Sequence, residues 1–139
     1  MSAFTTRAPK ITSITISGSQ TALEGIAGDT LGGQRAVYLD SAGLYQYASN
    51  TVLEDSLRTI GITLNAAAVD EVIAVQTFGQ IEEPSWSWDL DLPIYLGANG
   101  ILTQTPPIGS SALFQRILGF PLSSTSMFLS MREPIVLAL

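Results

Sequence analysis

The chain has 139 residues, 46% of them hydrophobic and only 13% charged, with a net charge of −6 and neither histidine nor cysteine. Six basic residues, one of them lysine, provide no stripe able to displace counterions from phosphates, which argues against nucleic acid and equally against an anionic membrane surface. Without cysteine there are no disulfides or thiolate metal sites, and without histidine the commonest general base is missing.

Residues 1–10 (MSAFTTRAPK) have no period, and Pro9 discourages a helix through Ala8, so they read as an extended arm. The arm lacks the apolar core of a signal peptide, and no run approaches the roughly 18 apolar residues that span a bilayer. The expectation is a soluble protein made in the cytosol. Ile11–Ile16 is β-branched and partly alternating, and Gln20–Glu24 reads as a second strand. Gly25, Gly28, Gly32 and Gly33 punctuate a turn-rich stretch. Their spacing is neither GxGxxG nor a P-loop, and no lysine follows to reach a phosphate.

Arg35–Leu39 and Leu44–Ala48 read as strands around an Asp40–Gly43 turn. Thr51-Val52-Leu53-Glu54 has the spacing of a capping box, predicting one or two helical turns up to Leu57. Strands are then expected at Arg58–Leu64, Glu71–Gln80, Leu92–Leu96, Ile101–Gln104, Leu113–Leu122, Met127–Met131 and Pro134–Leu139. Short strands with glycine turns and almost no helix predict an all-β fold, a β-barrel or a tulip-like β-sandwich.

The second half of this pattern echoes the first. Val37-Tyr38-Leu39 is answered by Ile94-Tyr95-Leu96, and Gly43-Leu44 by Gly100-Ile101, at an offset of 57. Arg58, Gly61 and Leu64 are answered by Arg116, Gly119 and Leu122 at 58. The expected organisation is a single β domain over residues 11–139 with pseudo-repeats at about 35–80 and 92–139. Tyr38 and Tyr95 should then meet equivalent surroundings. What repeats is scaffold, which points to structure or attachment before chemistry.

Chemistry is thinly supplied. In Trp86-Ser87-Trp88-Asp89-Leu90-Asp91-Leu92 the alternation would place Asp89 and Asp91 on one strand face, about 6.6 Å apart along the chain. That separation suits the carboxyl pair of an inverting glycosidase, about 6.5–9.5 Å apart. The bland alternative is that both carboxylates face solvent. Trp86 and Trp88 would share the other face with Leu90 and Leu92, as core, as an interface anchor or as a platform for sugars. Glu82, Glu83, Asp89 and Asp91 are oxygen ligands in type, but they lack the DxDxDG register of a calcium loop. No metal and no cofactor is expected. Arg58 and Arg116 read as pairing with a carboxylate or with backbone carbonyls at strand ends. Pro134–Leu139 stays apolar to the last residue, as a paired strand would.

The segments Glu83-Pro84-Ser85-Trp86-Ser87-Trp88, Ile94-Tyr95-Leu96-Gly97, Gly100–Pro107, Arg116–Leu122 and Pro134-Ile135-Val136-Leu137 carry a resemblance. Over about residues 25–139 the chain resembles a loose group of small bacteriophage virion proteins: capsid decoration proteins, head fibres, and collar, tail or baseplate attachment modules. The resemblance implies a non-enzymatic accessory module on the virion exterior, made in the host cytoplasm, with no catalytic residues. Its expected partners are itself, as a homotrimer or other homo-oligomer, and major capsid, portal, collar or tail proteins. Candidate interface residues are Arg7, Lys10, Trp86, Trp88, Phe120, Phe128, Ile135, Val136 and Leu137, with Phe114 among the aromatics expected to be covered. The alternatives are a receptor- or carbohydrate-binding module that uses Trp86 and Trp88 on a host surface glycan, and a small glycoside hydrolase using Asp89 and Asp91.

Overall fold

Strands dominate because β-branched and aromatic residues alternate in short runs between glycine turns. The computed structural model describes residues 13–16, 20–109 and 112–137; the arm of residues 1–10 lies outside them. The fold is all-β, and among the described residues the helical elements are two 3-10 turns, Leu53–Ser56 and Ala98–Gly100. The strands of the first half are β1 (Ser13–Ile16), β2 (Gln20–Ala27), β3 (Ala36–Leu39), β4 (Leu44–Tyr47), β5 (Gly61–Thr63) and β6 (Val72–Glu82). Those of the second are β7 (Ile94–Leu96), β8 (Leu102–Thr103), β9 (Phe114–Gln115), β10 (Ile117–Ser123), β11 (Ser126–Leu129) and β12 (Ile135–Val136).

Ten strands form one mixed sheet in the order β1-β2-β4-β3-β5-β6-β11-β10-β7-β8, and β9 pairs with β12 apart from it. Because β2 also pairs with β6, the hydrogen bonding of β2, β4, β3, β5 and β6 returns on itself. The β2–β4 contact is parallel; the other named pairings are antiparallel.

β6 joins the two parts of the sheet. Its residues from Val72 to Phe78 pair with β2, whereas Gly79 to Glu82 pair with β11. At the handover Gly79 has φ of 100°, a conformation open to glycine and costly for residues with a Cβ. Gln76, only 1% exposed, donates from Nε2 to the carbonyls of Phe78 and Gln80, both at 2.9 Å.

Two cores result. Ala27, Leu31, Val37, Tyr45, Ile73 and Val75 belong to a smaller one. The larger includes Ala36, Ile62, Ile81, Ile94, Leu96, Phe114, Leu118, Met127 and Leu129. Neighbouring residues Ala36 and Val37 thus enter different cores, so β3 is covered on both faces. This is the double burial that strand alternation produces between two apolar layers.

From the β6–β11 seam outward, the strand orders are β6-β5-β3-β4 and β11-β10-β7-β8. Leu39 faces Tyr45 as Leu96 faces Leu102, and Tyr38 faces Gln46 as Tyr95 faces Thr103. Val37 faces Gly61 as Ile94 faces Gly119. The turn glycines Gly43 and Gly100 have φ of 83° and 80°. The turns differ in their bonding. Asp40 accepts from the amides of Ala42 and Leu44 and from Gln46, and these bonds, led by that of Leu44, hold its carboxyl below the usual range. Gly97 occupies the matching place without a side chain. The tyrosines differ too: Tyr38 is half-buried under the Arg58 guanidinium at 4.2 Å, while Tyr95 is buried.

Several boundaries depart from the sequence pattern. β2 runs through Gly25 to Ala27, because its parallel contact with β4 extends the ladder past the first glycine. Thr51 makes no capping box; Ser49 and Asp55 close that turn instead, with the Ser49 amide donating to Asp55 Oδ2 at 2.8 Å. β5 keeps only three residues, since the 3-10 turn and the Arg58–Asp55 contact take the chain before it. The run expected over Leu113–Leu122 divides at Arg116: β9 turns to β12, and β10 to β7 and β11.

The kink in β6 yields a test by urea unfolding. Gly79→Ala is expected to cost about 1–3 kcal/mol through backbone strain. Gln76→Leu is expected to lose a similar amount, about 1–3 kcal/mol, with the two hydrogen bonds that its amide makes. Wild-type stability in both variants would show that the kink is not held this way.

Candidate functional site

An aromatic row crosses three adjacent strands on the face opposite the larger core. A register shift between Ile117 and Gly119 lets Leu118 turn into the core while Phe120, two residues on, is 36% exposed. Phe120 lies directly opposite Phe128, which lies opposite Gln80. Phe78 completes the row edge-on to Phe128, with centroids 5.2 Å apart and planes at 82°. Phe78 is 43% exposed and Leu122, next outward along β10, 52%. The Arg132 guanidinium sits 4.7 Å above the Phe120 ring. Glu82, the carboxylate nearest along β6, accepts from the Thr125 hydroxyl at 2.6 Å. The row is therefore apolar and ordered by its own edge-to-face contact, which favours association over solvent.

The repeated arginines form a second feature. Asp55 is 1% exposed and is satisfied by the Arg58 guanidinium and the Ser49 amide. The bond to Asp55 raises Arg58 above its ordinary value. Arg116 instead donates to backbone carbonyls: Nη1 to Arg58 and Asp55, Nε to Arg132 at 3.2 Å. Burial, the dominant influence, lowers Arg116. One arginine thus meets a carboxylate and the other meets carbonyls.

The Trp86–Leu92 segment is not a strand, so Asp89 and Asp91 do not share a strand face. Its backbone groups go elsewhere. The Trp86 amide donates to Glu83 O and that of Trp88 to Ser124 O. Gln104 accepts from the Asp89 amide and donates to the carbonyls of Asp89 and Leu92. Asp89 Oδ1 accepts from the Asp91 amide at 2.9 Å, and Glu83 from that of Ser85 at 3.0 Å. These are local turn caps. The contact with Ser85 lowers the Glu83 carboxyl. Among the described residues no three carboxylates converge. Trp86 and Trp88 pack on each other at 5.1 Å and on the larger core, both half-buried, and Trp88 Nε1 is buried with no hydrogen-bond partner. They do not present a flat, open platform.

Of the other candidate interface residues, Arg7 and Lys10 lie outside the described residues. Ile135 and Val136 are 60% and 45% exposed, although β12 is paired with β9. Leu137 is half-buried, and its amide donates to Leu113 O at 2.9 Å. Phe114, expected at an interface, is fully buried in the larger core because β9 turns inward there. The structure unites Phe120 and Phe128 and adds Phe78 and Arg132, which sequence reasoning missed. A signal for Phe78 was present: it precedes an isolated glycine in a strand run, where a bend re-aims side chains.

No protein-family model matches this chain, and neither the curated proteins nor the solved structures contain a match.

The Asp55 and Asp89 environments differ sharply in expected consequence. Arg58→Ala should cost about 3 kcal/mol or more, by removing the cation that pairs with the buried Asp55 and leaving it only the Ser49 amide. Asp89→Asn should change stability by less than about 0.5 kcal/mol, since an amide oxygen still caps the turn. Urea unfolding of the two variants checks the ranking, and equal losses would overturn it.

Proposed function

We propose that this chain is a non-enzymatic structural module that works through contact, as a homo-oligomer and as an accessory on a larger assembly. The observation that carries the reading is the row Phe78, Phe128 and Phe120 on one sheet face, with Leu122, also exposed, two residues further along β10. The low charge of the chain, 13%, is consistent with surface that partners cover. Ile135 and Val136 offer a second exposed apolar strip. The proposed assembly is a phage virion exterior, on the strength of the resemblance carried by the segments from Glu83 to Leu137.

In architecture we read the ring of β2, β4, β3, β5 and β6 as a small barrel whose last strand continues into an antiparallel sheet. We also propose that the halves are one strand-and-turn plan used twice. The pairings of Leu39 with Tyr45 and of Leu96 with Leu102 support this, as do the positive φ angles of Gly43 and Gly100. A module built by doubling a scaffold, with its carboxylates occupied in turns, suits attachment better than hydrolysis.

Light scattering of the purified chain is expected to give a mass above that of one copy. Leu122→Asp would place a charge in the dry contact, costing on the order of 3 kcal/mol, roughly a hundredfold in association. Because Leu122 is exposed, the variant should remain folded by circular dichroism. A monomeric wild-type chain at all accessible concentrations would overturn the oligomer reading. Deleting residues 2–10 should leave the fold intact and weaken incorporation into particles; unchanged incorporation would remove the arm from the attachment role.

A further inference from the structure

In a molecule whose net charge is −6, the Arg116 guanidinium reaches the backbone carbonyls of two of the other four arginines, Arg58 and Arg132. Arg116 and Arg132 flank a cleft of about 390 Å³ whose apolar walls are Leu57, Met131 and Pro134. Glu133 and Ser56 also line it. The three arginines are not equivalent. Arg58 has Asp55, and Arg132 stacks on Phe120. Arg116 has neither. Its Nε and Nη1 are taken by three carbonyls, and its Nη2 has no hydrogen bond among the described residues. Among those residues no carboxylate forms an ion pair with it; Glu133 acts on it only at longer range.

A part-buried cation without a counter-ion is costly, and such charges are ordinarily paired. Here the guanidinium is held rigid by the carbonyls, so a ligand need not order it. The donor left over, Nη2, can make a single charge-assisted hydrogen bond to a carboxylate oxygen. The apolar walls suit a short hydrocarbon stem.

We propose that this cleft binds a carboxylate carried on a short apolar stem, with Arg116 and Arg132 as its cations and Leu57, Met131 and Pro134 against the stem. The chemistry is shared by a free small-molecule carboxylate and by an acidic side chain of another polypeptide. The proposal does not rest on the oligomer reading: Arg132 stacks on Phe120 of the aromatic row, but Arg116, Leu57, Met131 and Pro134 lie outside that row, and the test is read at Arg116 with small probes.

The test titrates the full chain with sodium hexanoate and, separately, with hexanol as the uncharged counterpart, following the arginine Nε–Hε signals by NMR. Hexanoate should shift the Arg116 signal saturably, and added salt should weaken the effect. Arg132→Gln should weaken hexanoate binding roughly two- to fivefold, and Glu133→Gln should tighten it by a similar factor. Both residues are exposed, so neither variant puts the fold at risk. A doubly capped Leu-Glu-Leu peptide forms the second arm. Saturable binding of that peptide assigns the site to an acidic side chain; binding of hexanoate alone assigns it to a free carboxylate. The proposal is overturned if neither probe gives a saturable shift, if hexanol matches hexanoate, or if both charge variants leave the affinity unchanged.

Discussion

The structure depends on how one strand changes partners within the sheet. β6 pairs with β2 and β5 along its first part and with β11 over Gly79 to Glu82. Gly79 makes the turn at φ of 100°, and the buried Gln76 amide bonds the carbonyls on either side of it. A bend interrupts the regular ladder, and a nearby side-chain donor can bond the carbonyls beside it. Gln76 supplies that donor from three residues upstream of the glycine, within the strand that bends. The positions of both cores follow, since Ile73 and Val75 lie before the bend and Ile81 after it.

The same device recurs. Asn50 donates to Leu96 O at 3.1 Å, Gln115 to Pro107 O at 3.0 Å, and the Thr63 hydroxyl to Gly32 O at 2.7 Å. Gln104 secures the whole Asp89–Leu92 turn. Uncharged amides and hydroxyls thus perform the connections that ion pairs make in more charged proteins. Among the described residues there is one salt bridge, Arg58 to Asp55. Neutral hydrogen bonds avoid the desolvation penalty that a buried ion pair carries. A chain with 13% charged residues can therefore still satisfy its interior.

What was legible in the sequence was local. The run Val37-Tyr38-Leu39, the Asp40–Gly43 turn and the aromatic strand after it predict a hairpin, and β3 and β4 form one. The all-β class follows from many such runs. Alternation misled at Trp86–Leu92, because the groups that would enter a ladder are claimed by Gln104, a residue 15 positions from Asp89. Periodicity could not show that β3 has two buried faces, since Ala36 and Val37 are both apolar and nothing local marks either as outward. Arg58 and Arg116 look alike in sequence because each stands three residues before a glycine, Gly61 and Gly119. Their partners, a carboxylate for one and carbonyls for the other, come from the fold around the 3-10 turn. Phe120 and Phe128 were visible as aromatics, but their alignment with Phe78 needed the register of three strands.

The continuity of β6 also has a mechanical meaning. When one half of the molecule is anchored and the other is drawn away, tension passes along peptide bonds through Gly79. The same load also meets direct ties between the halves: the Gly100 amide donates to Ala48 O, that of Asn50 to Gly97 O and that of Leu113 to Asn50 O. Residues of both halves share the larger core, so drawing the halves apart would have to break these bonds and open that core together with the β6 ladders.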